Sequence, residues 1–439
     1  MMRILLFITA LFCLVACESQ PTAPATADTT TSTKVVTLDT TAEGYYRLFV
    51  DGEPFYVKGA GCEFGDIAAL AEHGANAFRT WRTDNGEQTA QEVLDEAQKY
   101  GLLVMMGIEV GRERHGYDYN DTAWVRQQKE RIRQEVEAIK DHPALLGWGV
   151  GNELNLDATN LKVWDAVDDI AKMIDEIDGK HVTTTMLAGI DERNASYITA
   201  NCPNLDFISI QMYGDIINLQ ERIKDAGYEG PYLVTEWGAT GHWEMPATEW
   251  GRPIEQTSTE KAASIKQRYE EAIQVDKKNG MGSFVFLWGQ KQERTPTWYG
   301  LFTEQGEETP AIDVMHYFWN GKWPDNRAPE VTNPLLNGQS AYDNIMLPPG
   351  TSATVTFSAA DPDQDTLAVR AEVMGEPEEL SQGGDFEPRP ATLEGLVQER
   401  KLGQVDFQAP AEPGAYRVFV YVTDGHNHAA TFNIPFLVQ

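Results

Sequence analysis

The chain is short of basic residues. Its 439 residues include 35 lysines and arginines against 67 aspartates and glutamates, which gives a net charge of −32. Nucleic-acid binding needs clustered basic side chains to neutralise phosphates, so this composition excludes a nucleic-acid partner. With 42% hydrophobic residues the chain can still bury a large core. Its length predicts one large domain plus a smaller one, or two to three modest domains.

Beyond the first residues, the chain also lacks an apolar run long enough to span a bilayer. The run from Ile4 to Ala16 follows Arg3 and is too short for a hydrocarbon core of ~30 Å, so residues 1–16 are predicted to be a cleaved signal peptide.

The motif Leu14-Val15-Ala16-Cys17 resembles the bacterial lipobox. That resemblance implies lipidation of Cys17 and anchoring to the cell envelope, with contact to the membrane through the lipid only. Glu18 replaces the aspartate of the inner-membrane retention signal, which favours the outer membrane. The alternative is a plain signal peptide with an incidental cysteine. Residues 17–34 are predicted to be a flexible tether.

From about residue 55, short apolar runs alternate with longer amphipathic ones, which is typical of a parallel sheet covered by helices. Eight strands are predicted at 55–61, 75–81, 102–110, 145–152, 181–187, 206–213, 232–237 and 282–288. Helices are predicted at 67–73, 90–100, 124–140, 161–177, 219–226, 259–278 and 311–319, and the stretch 191–200 stays unassigned. The pattern predicts an α/β fold, a (β/α)8 TIM barrel over residues 35–329, with its site at the carboxyl ends of the strands. A doubly wound sheet is disfavoured because no Gly-rich phosphate loop follows the first strand.

Residues 330–439 have a different character, with alternating strand-like runs separated by Pro, Gly and Asp turns. This pattern predicts an all-β, Ig-like sandwich, for which a spacer role is preferred over glycan binding because exposed-looking tryptophans are few. One turn carries Asp361, Asp363 and Asp365, whose oxygens suit calcium. An ordinary acidic turn is the favoured interpretation.

Cysteine is scarce as well. Of four cysteines, only Cys62 and Cys202 lie beyond the predicted signal peptide and lipidation site. They fall at opposite ends of the predicted barrel, so we expect them not to pair. No His/Cys/Asp group has metal-ligand spacing, and we therefore expect catalysis with no metal and no cofactor.

Two of the predicted strands end in a glutamate. The fourth ends in Gly151-Asn152-Glu153, and the seventh ends in Thr235-Glu236-Trp237. A buried carboxylate without a partner is costly, so two at one face of a barrel indicate function. Such a pair suits glycoside cleavage, with one group as general acid and base and the other as nucleophile.

Together these motifs resemble the clan of retaining glycosidases built on (β/α)8 barrels with an Asn-Glu acid/base. The resemblance is closest to the barrel domain of glycoside hydrolase family 2 and covers roughly residues 50 to 320. It implies that Glu153 is the acid/base and Glu236 the nucleophile, with Asn152 bonding a sugar hydroxyl. It further implies that Arg79 and Tyr213 contact the nucleophile and that Trp288 forms the floor of the sugar site.

Elementary electrostatics is consistent with these roles. Arg79 beside Glu236 would favour an ionised nucleophile, and an apolar wall beside Glu153 would favour a protonated acid. Retention of configuration would follow from a carboxyl separation of about 5 to 5.5 Å. Trp243 and Trp298 lie in the loops after strands seven and eight and are predicted to be platforms for sugar rings, with ordinary packing as the alternative.

The sequence departs from family 2 in its domain order, because the β-domain follows the barrel and only about fifteen strand-like residues precede it. The absence of a preceding domain favours an open cleft and a polysaccharide, and the acidic surface favours a neutral glycan. We therefore expect a β-linked glycan as partner, with β-1,3-glucan first and β-mannan or a β-galactoside behind. Two alternatives stay open: a glucanosyltransferase that passes the sugar to an acceptor, and a non-catalytic glycan-binding lipoprotein.

Overall fold

The computed structural model describes residues 32–439. The predicted signal peptide, the lipidation site at Cys17 and most of the tether lie outside this range. Within it, no helix is both long enough and apolar enough to cross a bilayer.

Eight parallel strands close into a barrel, which confirms the predicted fold class. A small antiparallel sheet precedes them, formed by β1 (Val36–Thr40), β2 (Tyr46–Val50) and β3 (Glu53–Phe55). The barrel strands are β4 (Val57–Gly61), β5 (Ala77–Arg79), β6 (Leu103–Ile108), β7 (Leu145–Asn152), β8 (Val182–Ala188), β9 (Phe207–Gln211), β10 (Tyr232–Glu236) and β11 (Gly280–Val285).

Eight helices surround the barrel. They are α1 (Ile67–Glu72), α2 (Ala90–Lys99), α3 (Thr122–Ile139), α4 (Lys162–Ile177), α5 (Glu192–Asn201), α6 (Leu219–Asp225), α7 (Ser258–Arg268) and α8 (Pro310–Asn320). Helix α5 fills the stretch that the sequence left unassigned. Its start is marked by Asp191, whose side chain accepts from the backbone N–H of Asn194, an ordinary N-cap.

The barrel is closed at one end, by an apolar cluster at the amino ends of its strands. At the amino ends of the strands, Leu48 of the small sheet joins an apolar cluster with Val57, Leu146, Leu233 and Phe284 of the barrel. This cluster seals the lower end of the barrel by burying apolar surface. A binding site is therefore expected at the opposite end, where the barrel strands end in polar residues.

Residues after 329 form two four-stranded sheets packed face to face, as the sequence predicted. One sheet contains β12 (Glu330–Leu336), β14 (Ser352–Ala360), β17 (Gln404–Gln408) and β16 (Val397–Lys401). The other contains β13 (Met346–Leu347), β19 (Ala429–Val438), β18 (Gly414–Thr423) and β15 (Ala368–Gly375). A separate apolar core lies between them.

The sandwich docks directly on the barrel through buried polar contacts. Glu255 of the barrel is 7% exposed and binds both Lys261 and Asn433, the latter from the sandwich. Arg417 of the sandwich bridges Glu376 at 2.7 Å and donates to the carbonyl of Pro253 at 2.5 Å. Buried charges need such partners, so the two units meet in one defined arrangement.

Candidate active site

Both glutamates lie at the carboxyl end of the barrel and line one cleft of about 520 Å³. Glu236 is the last residue of β10, and Glu153 directly follows β7. Glu153 has a φ of +52°, a left-handed conformation that is strained for a non-glycine residue. Strain of this kind is typical of functional positions.

Three side chains donate hydrogen bonds to the Glu236 carboxylate, and Arg79 forms an ion pair with it. Trp81 Nε1 donates to Oε1 at 2.7 Å and Tyr213 Oη donates to Oε2 at 2.9 Å. Gln211 Nε2 lies 3.1 Å and Arg79 Nη1 3.3 Å from Oε1. The carboxylate is thus fixed in orientation by neutral donors and one cation.

Arg79 ties the two strand ends together. Its guanidinium is fully buried, donates to Asn152 Oδ1 at 2.7 Å through Nη2, and stacks 4.6 Å from the centre of the Trp81 ring. Asn152 Oδ1 also accepts from Gln211 Nε2 at 2.7 Å. Since both protein bonds use the amide oxygen, the Asn152 N–H₂ group is the part that can donate to a ligand.

Glu153 has the opposite environment. Throughout residues 32–439, no side chain or backbone group donates a hydrogen bond to its carboxyl. Burial, and next the negative charge of Glu236, raise the pKa of Glu153 to about 8, against the opposing charges of Arg112 and Arg79. The two carboxyls therefore differ in the way that a proton donor and a nucleophile must differ.

Tyr213 completes the contact predicted for the nucleophile. Its burial, and then the charge of Glu236, raise the pKa of Tyr213 well above the usual range for tyrosine. The phenol therefore keeps its proton and acts as a hydrogen-bond donor. Its ring meets Trp243, Phe286 and Tyr299 edge to face.

The two predicted aromatic platforms, Trp243 and Trp298, differ in position: only Trp243 lines the cleft. Trp243 is 59% exposed and lines the cleft, as expected for a platform. Trp298 does not line it: the side chain is 1% exposed and donates through Nε1 to the carbonyl of Thr240. Packing, the alternative interpretation, holds for Trp298.

The prediction that Trp288 forms the floor of the sugar site is wrong. Trp288 is fully buried, donates through Nε1 to the carbonyl of Asp66, and packs on Phe302 and Trp319. The last strand ends at Val285, three residues earlier than predicted, so the alternation of a strand does not extend to Trp288. Phe286 takes the place in the cleft wall instead.

Sequence reasoning missed two contacts of the nucleophile. Trp81 ends the second predicted strand and was given no role, whereas its indole N–H bonds Glu236. Gln211 was not considered, although it is the last residue of β9 and is 2% exposed. A polar residue ending a buried strand was the available signal, and it applied to amides as well as to carboxylates.

The sandwich also reaches the cleft, which the predicted spacer role does not include. Gly383, Gly384, Asp385 and Phe386 belong to its β15–β16 connection and line the same cavity as the glutamates. The Asp385 carboxylate lies 2.6 Å from Arg114 of the barrel. The wall is therefore held by contacts between the two units.

Other predicted features have simple outcomes. Cys62 and Cys202 are buried and unpaired. In the part of the chain that the structure describes, carboxylates suited to hold a metal come together at Asp361, Asp365 and Asp424, with oxygens within 4.8 Å of one another. Asp363 of the predicted turn instead accepts from the Arg327 backbone N–H.

The comparisons with known proteins agree with this geometry. The family model for the TIM barrel domain of glycosyl hydrolases family 2 matches residues 63–321. No curated protein sequence is similar enough to count as a relative.

The fold is shared with solved structures, among them two β-glucuronidases. The β-D-glucuronidase of Dictyoglomus thermophilum is 18% identical, with a TM-score of 0.51 over 66% of this chain and 54% of its own. The β-glucuronidase of Bifidobacterium dentium, complexed with coumarin-3-O-glucuronide, is 17% identical, with a TM-score of 0.50 over 66% of this chain and 50% of its own. The chain thus spans about half the length of these two proteins, and the likeness is one of fold.

Proposed function

This chain belongs to glycosyl hydrolase family 2, and from that premise we propose that it hydrolyses β-linked glycans by a two-glutamate double displacement. The contrast between the two carboxyls carries the proposal. Glu236 is held by three hydrogen-bond donors and by the Arg79 ion pair, while the half-buried Glu153 carboxyl has no donor among residues 32–439 and a pKa raised to about 8.

In the first step, a Glu236 oxygen attacks the anomeric carbon and the glycosidic C–O bond breaks. Glu153 gives its proton to the departing oxygen, so the leaving group departs as a neutral alcohol. Asn152, with its amide N–H₂ group free, is placed to bond a sugar hydroxyl as positive charge develops at the anomeric carbon.

The second step uses the same two groups in reversed order. Once Glu236 is esterified its negative charge is gone, and that charge is one cause of the raised pKa of Glu153. The pKa of Glu153 must then fall, because a like charge disfavours ionisation. Glu153 then acts as a base and takes a proton from water, while the water oxygen bonds to the anomeric carbon and the bond from that carbon to Glu236 breaks. The second inversion restores the original configuration of the sugar and frees the Glu236 carboxylate.

The substrate is proposed to be a neutral glycan, with β-1,3-glucan ahead of β-mannan and β-galactosides. Charged residues of both signs line the cleft, including Glu63, Glu109 and Glu293 beside Arg82 and Lys291. Arg82 is held by Glu63 and Lys291 by Glu293, at 3.0 and 2.9 Å. Of the three cations that line the cleft, only Arg112 has no carboxylate partner among residues 32–439, and six carboxyl groups line the same cleft, so its attraction for a sugar carboxylate is small.

A second part of the proposal concerns location. The lipobox-like motif supports lipidation at Cys17 and placement in the bacterial cell envelope, at the outer membrane. Metabolic labelling with a radioactive fatty acid tests it. Wild-type protein should carry the label and Cys17→Ser should not, and equal labelling of both would contradict the anchor.

A substrate panel tests the catalytic proposal. Purified protein would be given laminarin, mannan, galactan and aryl β-glycosides, including an aryl β-glucuronide because the two solved structures named above are β-glucuronidases. Proton NMR should detect the β-anomer as the first product, and a first product of α configuration would contradict retention. Products longer than the substrate would indicate transfer to a sugar acceptor, and no cleavage of any substrate would contradict the proposed function.

A further inference from the structure

Residues 380–387, here called the strap, leave the sandwich and cross the mouth of the barrel. On one side Asp385 meets Arg114, and Gln382 Nε2 donates to Asp157 at 2.6 Å. These two partners lie in the loops after β6 and β7.

On the other side, the strap is held by the loop after β11. Glu387 is 3% exposed and accepts from Arg294 Nη1 at 2.7 Å and Gln292 Nε2 at 3.0 Å. Lys291 Nζ donates to the carbonyl of Gly384 at 2.8 Å. Strands β7 and β11 are four places apart in the ring of eight, hence opposite each other. The strap therefore spans the mouth.

The strap also lies very close to the barrel. Gly383 has a φ of +56°, and a Cβ atom placed there would come within 2.7 Å of Leu156 and 3.1 Å of Arg114. Only glycine satisfies both the left-handed conformation and this close approach. The backbone of the strap is thus fitted to the loops beneath it.

Between its two anchored carboxylates, the strap presents one large apolar side chain. Phe386 is 89% exposed although it lines the cleft, while its neighbours Asp385 and Glu387 are tied to the barrel. Single exposed apolar residues need no explanation, but a cluster does. Five aromatic side chains are prominently exposed in residues 32–439, and three of them line this cleft: Phe64, Trp243 and Phe386.

The cleft also continues beyond the glutamates. A neighbouring cavity of about 590 Å³ shares Glu109 and Arg112 with it, and another of about 700 Å³ shares Trp243 and Gly383. A ligand with several rings in a row would therefore follow the cleft past the strap.

We propose that Phe386 is an aromatic platform for a sugar ring beyond the one being cleaved, so that the sandwich domain supplies part of the substrate-binding site. The inference rests on the proposed glycosidase function. A phenyl face offers the apolar C–H surface of a pyranose a partner, and burying the exposed ring against it is favourable.

The test compares substrates of different length. Wild type, Phe386→Ala and Phe386→Trp would be assayed on p-nitrophenyl β-glycosides and on laminari-, manno- and β-galacto-oligosaccharides of two to six sugars. Phe386→Ala should lower kcat/KM for the longer oligosaccharides about tenfold and should lower it less for the single-sugar glycosides. Phe386→Trp keeps an aromatic face and should retain most of the wild-type kcat/KM on the longer oligosaccharides. Tyr342→Ala is the control, because Tyr342 is an exposed aromatic residue of the same domain that lines none of the three cavities. It should leave kcat/KM unchanged for the oligosaccharides and for the single-sugar glycosides.

The possible failures separate the two claims. Suppose that wild type cleaves oligosaccharides and that Phe386→Ala lowers kcat/KM equally for all substrates, or for none. The proposed platform is then refuted, and the proposed glycosidase function is not. If wild type cleaves no member of the panel, the proposed function fails and this inference fails with it. Thermal unfolding should be the same for all variants, since an 89% exposed side chain contributes little to stability.

Discussion

The two walls of the cleft are built in different ways. The barrel wall places Asn152, Gln211 and Glu236 at the ends of three strands, where the backbone is fixed by the hydrogen bonds of the sheet. The sandwich wall is a loop that two ion pairs hold to the barrel. The partners Arg294 and Glu387 are 93 positions apart in the chain, and Arg114 and Asp385 are 271 positions apart. The proposed reacting groups therefore lie on strands fixed by the sheet, and the proposed platform Phe386 lies on a loop attached to the barrel by ion pairs.

The largest effect is expected at the proposed nucleophile of the barrel wall. Glu236→Gln removes the proposed nucleophile and should lower kcat by at least about 10⁴-fold, because the amide cannot form the glycosyl ester. Circular dichroism should show an unchanged fold. Glu109→Gln removes an exposed carboxylate from the rim of the same cleft and should cost less than about tenfold. Equal losses for the two variants would contradict the assignment of Glu236 as the nucleophile.

The attachment of the sandwich wall can be broken at Glu387. Its carboxylate is fully buried and its partner Arg294 is 11% exposed, so Glu387→Ala leaves a largely buried guanidinium without its carboxylate and should lower the free energy of unfolding by roughly 3 kcal/mol. Denaturant unfolding measures the change. Glu379→Ala is the matched control, because Glu379 is exposed in the same connection. If both variants unfold alike, this ion pair does not hold the strap.

A second contact between the units depends on pH. His428 of the sandwich lies 2.9 Å from Asp424 and 3.5 Å from Glu308 of the barrel. Burial alone would lower the pKa of His428, but these carboxylates outweigh it and raise the pKa to about 9.

The contribution of His428 to stability should follow from that shift. It is fully present below the unfolded-state pKa of about 6.5 and is lost as the pH rises through about 9. After allowance for solvent screening we expect a loss of about 2 kcal/mol, measured as the difference between wild type and His428→Gln at pH 6 and pH 10. His426→Gln, at an exposed neighbouring histidine, should show no such difference. A pH-independent difference for His428→Gln would contradict the ion pair.

A second pH effect belongs to the barrel wall alone. Glu153 must be protonated to act as the acid, and its pKa is raised to about 8, so kcat/KM should fall about tenfold per pH unit above that value. A pH profile measures it. Phe386→Ala should leave the pH at which kcat/KM begins to fall unchanged, because Phe386 carries no charge. A shift of that pH would show that the two walls are electrostatically coupled.

The barrel wall was largely predictable from the sequence. Glu153 and Glu236 end apolar runs, and a carboxylate at such a place is expensive enough to stand out. Gln211 sits in the same kind of position and was missed because an amide is less conspicuous there. Trp288 was misplaced because the end of a strand cannot be fixed to within three residues from an apolar run.

The sandwich wall was not predictable in the same way. The connection that contains Gly383, Gly384 and Phe386 has the turn composition of any surface loop, and no local pattern indicates that it reaches a site more than 200 residues away. Its anchors, Asp385 and Glu387, are ordinary acidic residues until Arg114 and Arg294 are placed beside them. Only tertiary structure supplies that information.

Trapping the glycosyl-enzyme tests the account most directly. The protein would be incubated with 2-deoxy-2-fluoro β-glycosides of glucose, galactose and mannose that carry an activated leaving group, then digested and analysed by mass spectrometry. The account predicts one sugar attached through an ester to Glu236, and no label in Glu236→Gln. A sugar attached to Glu153 or to another residue, or no adduct in a protein that hydrolyses the parent glycoside, would contradict it.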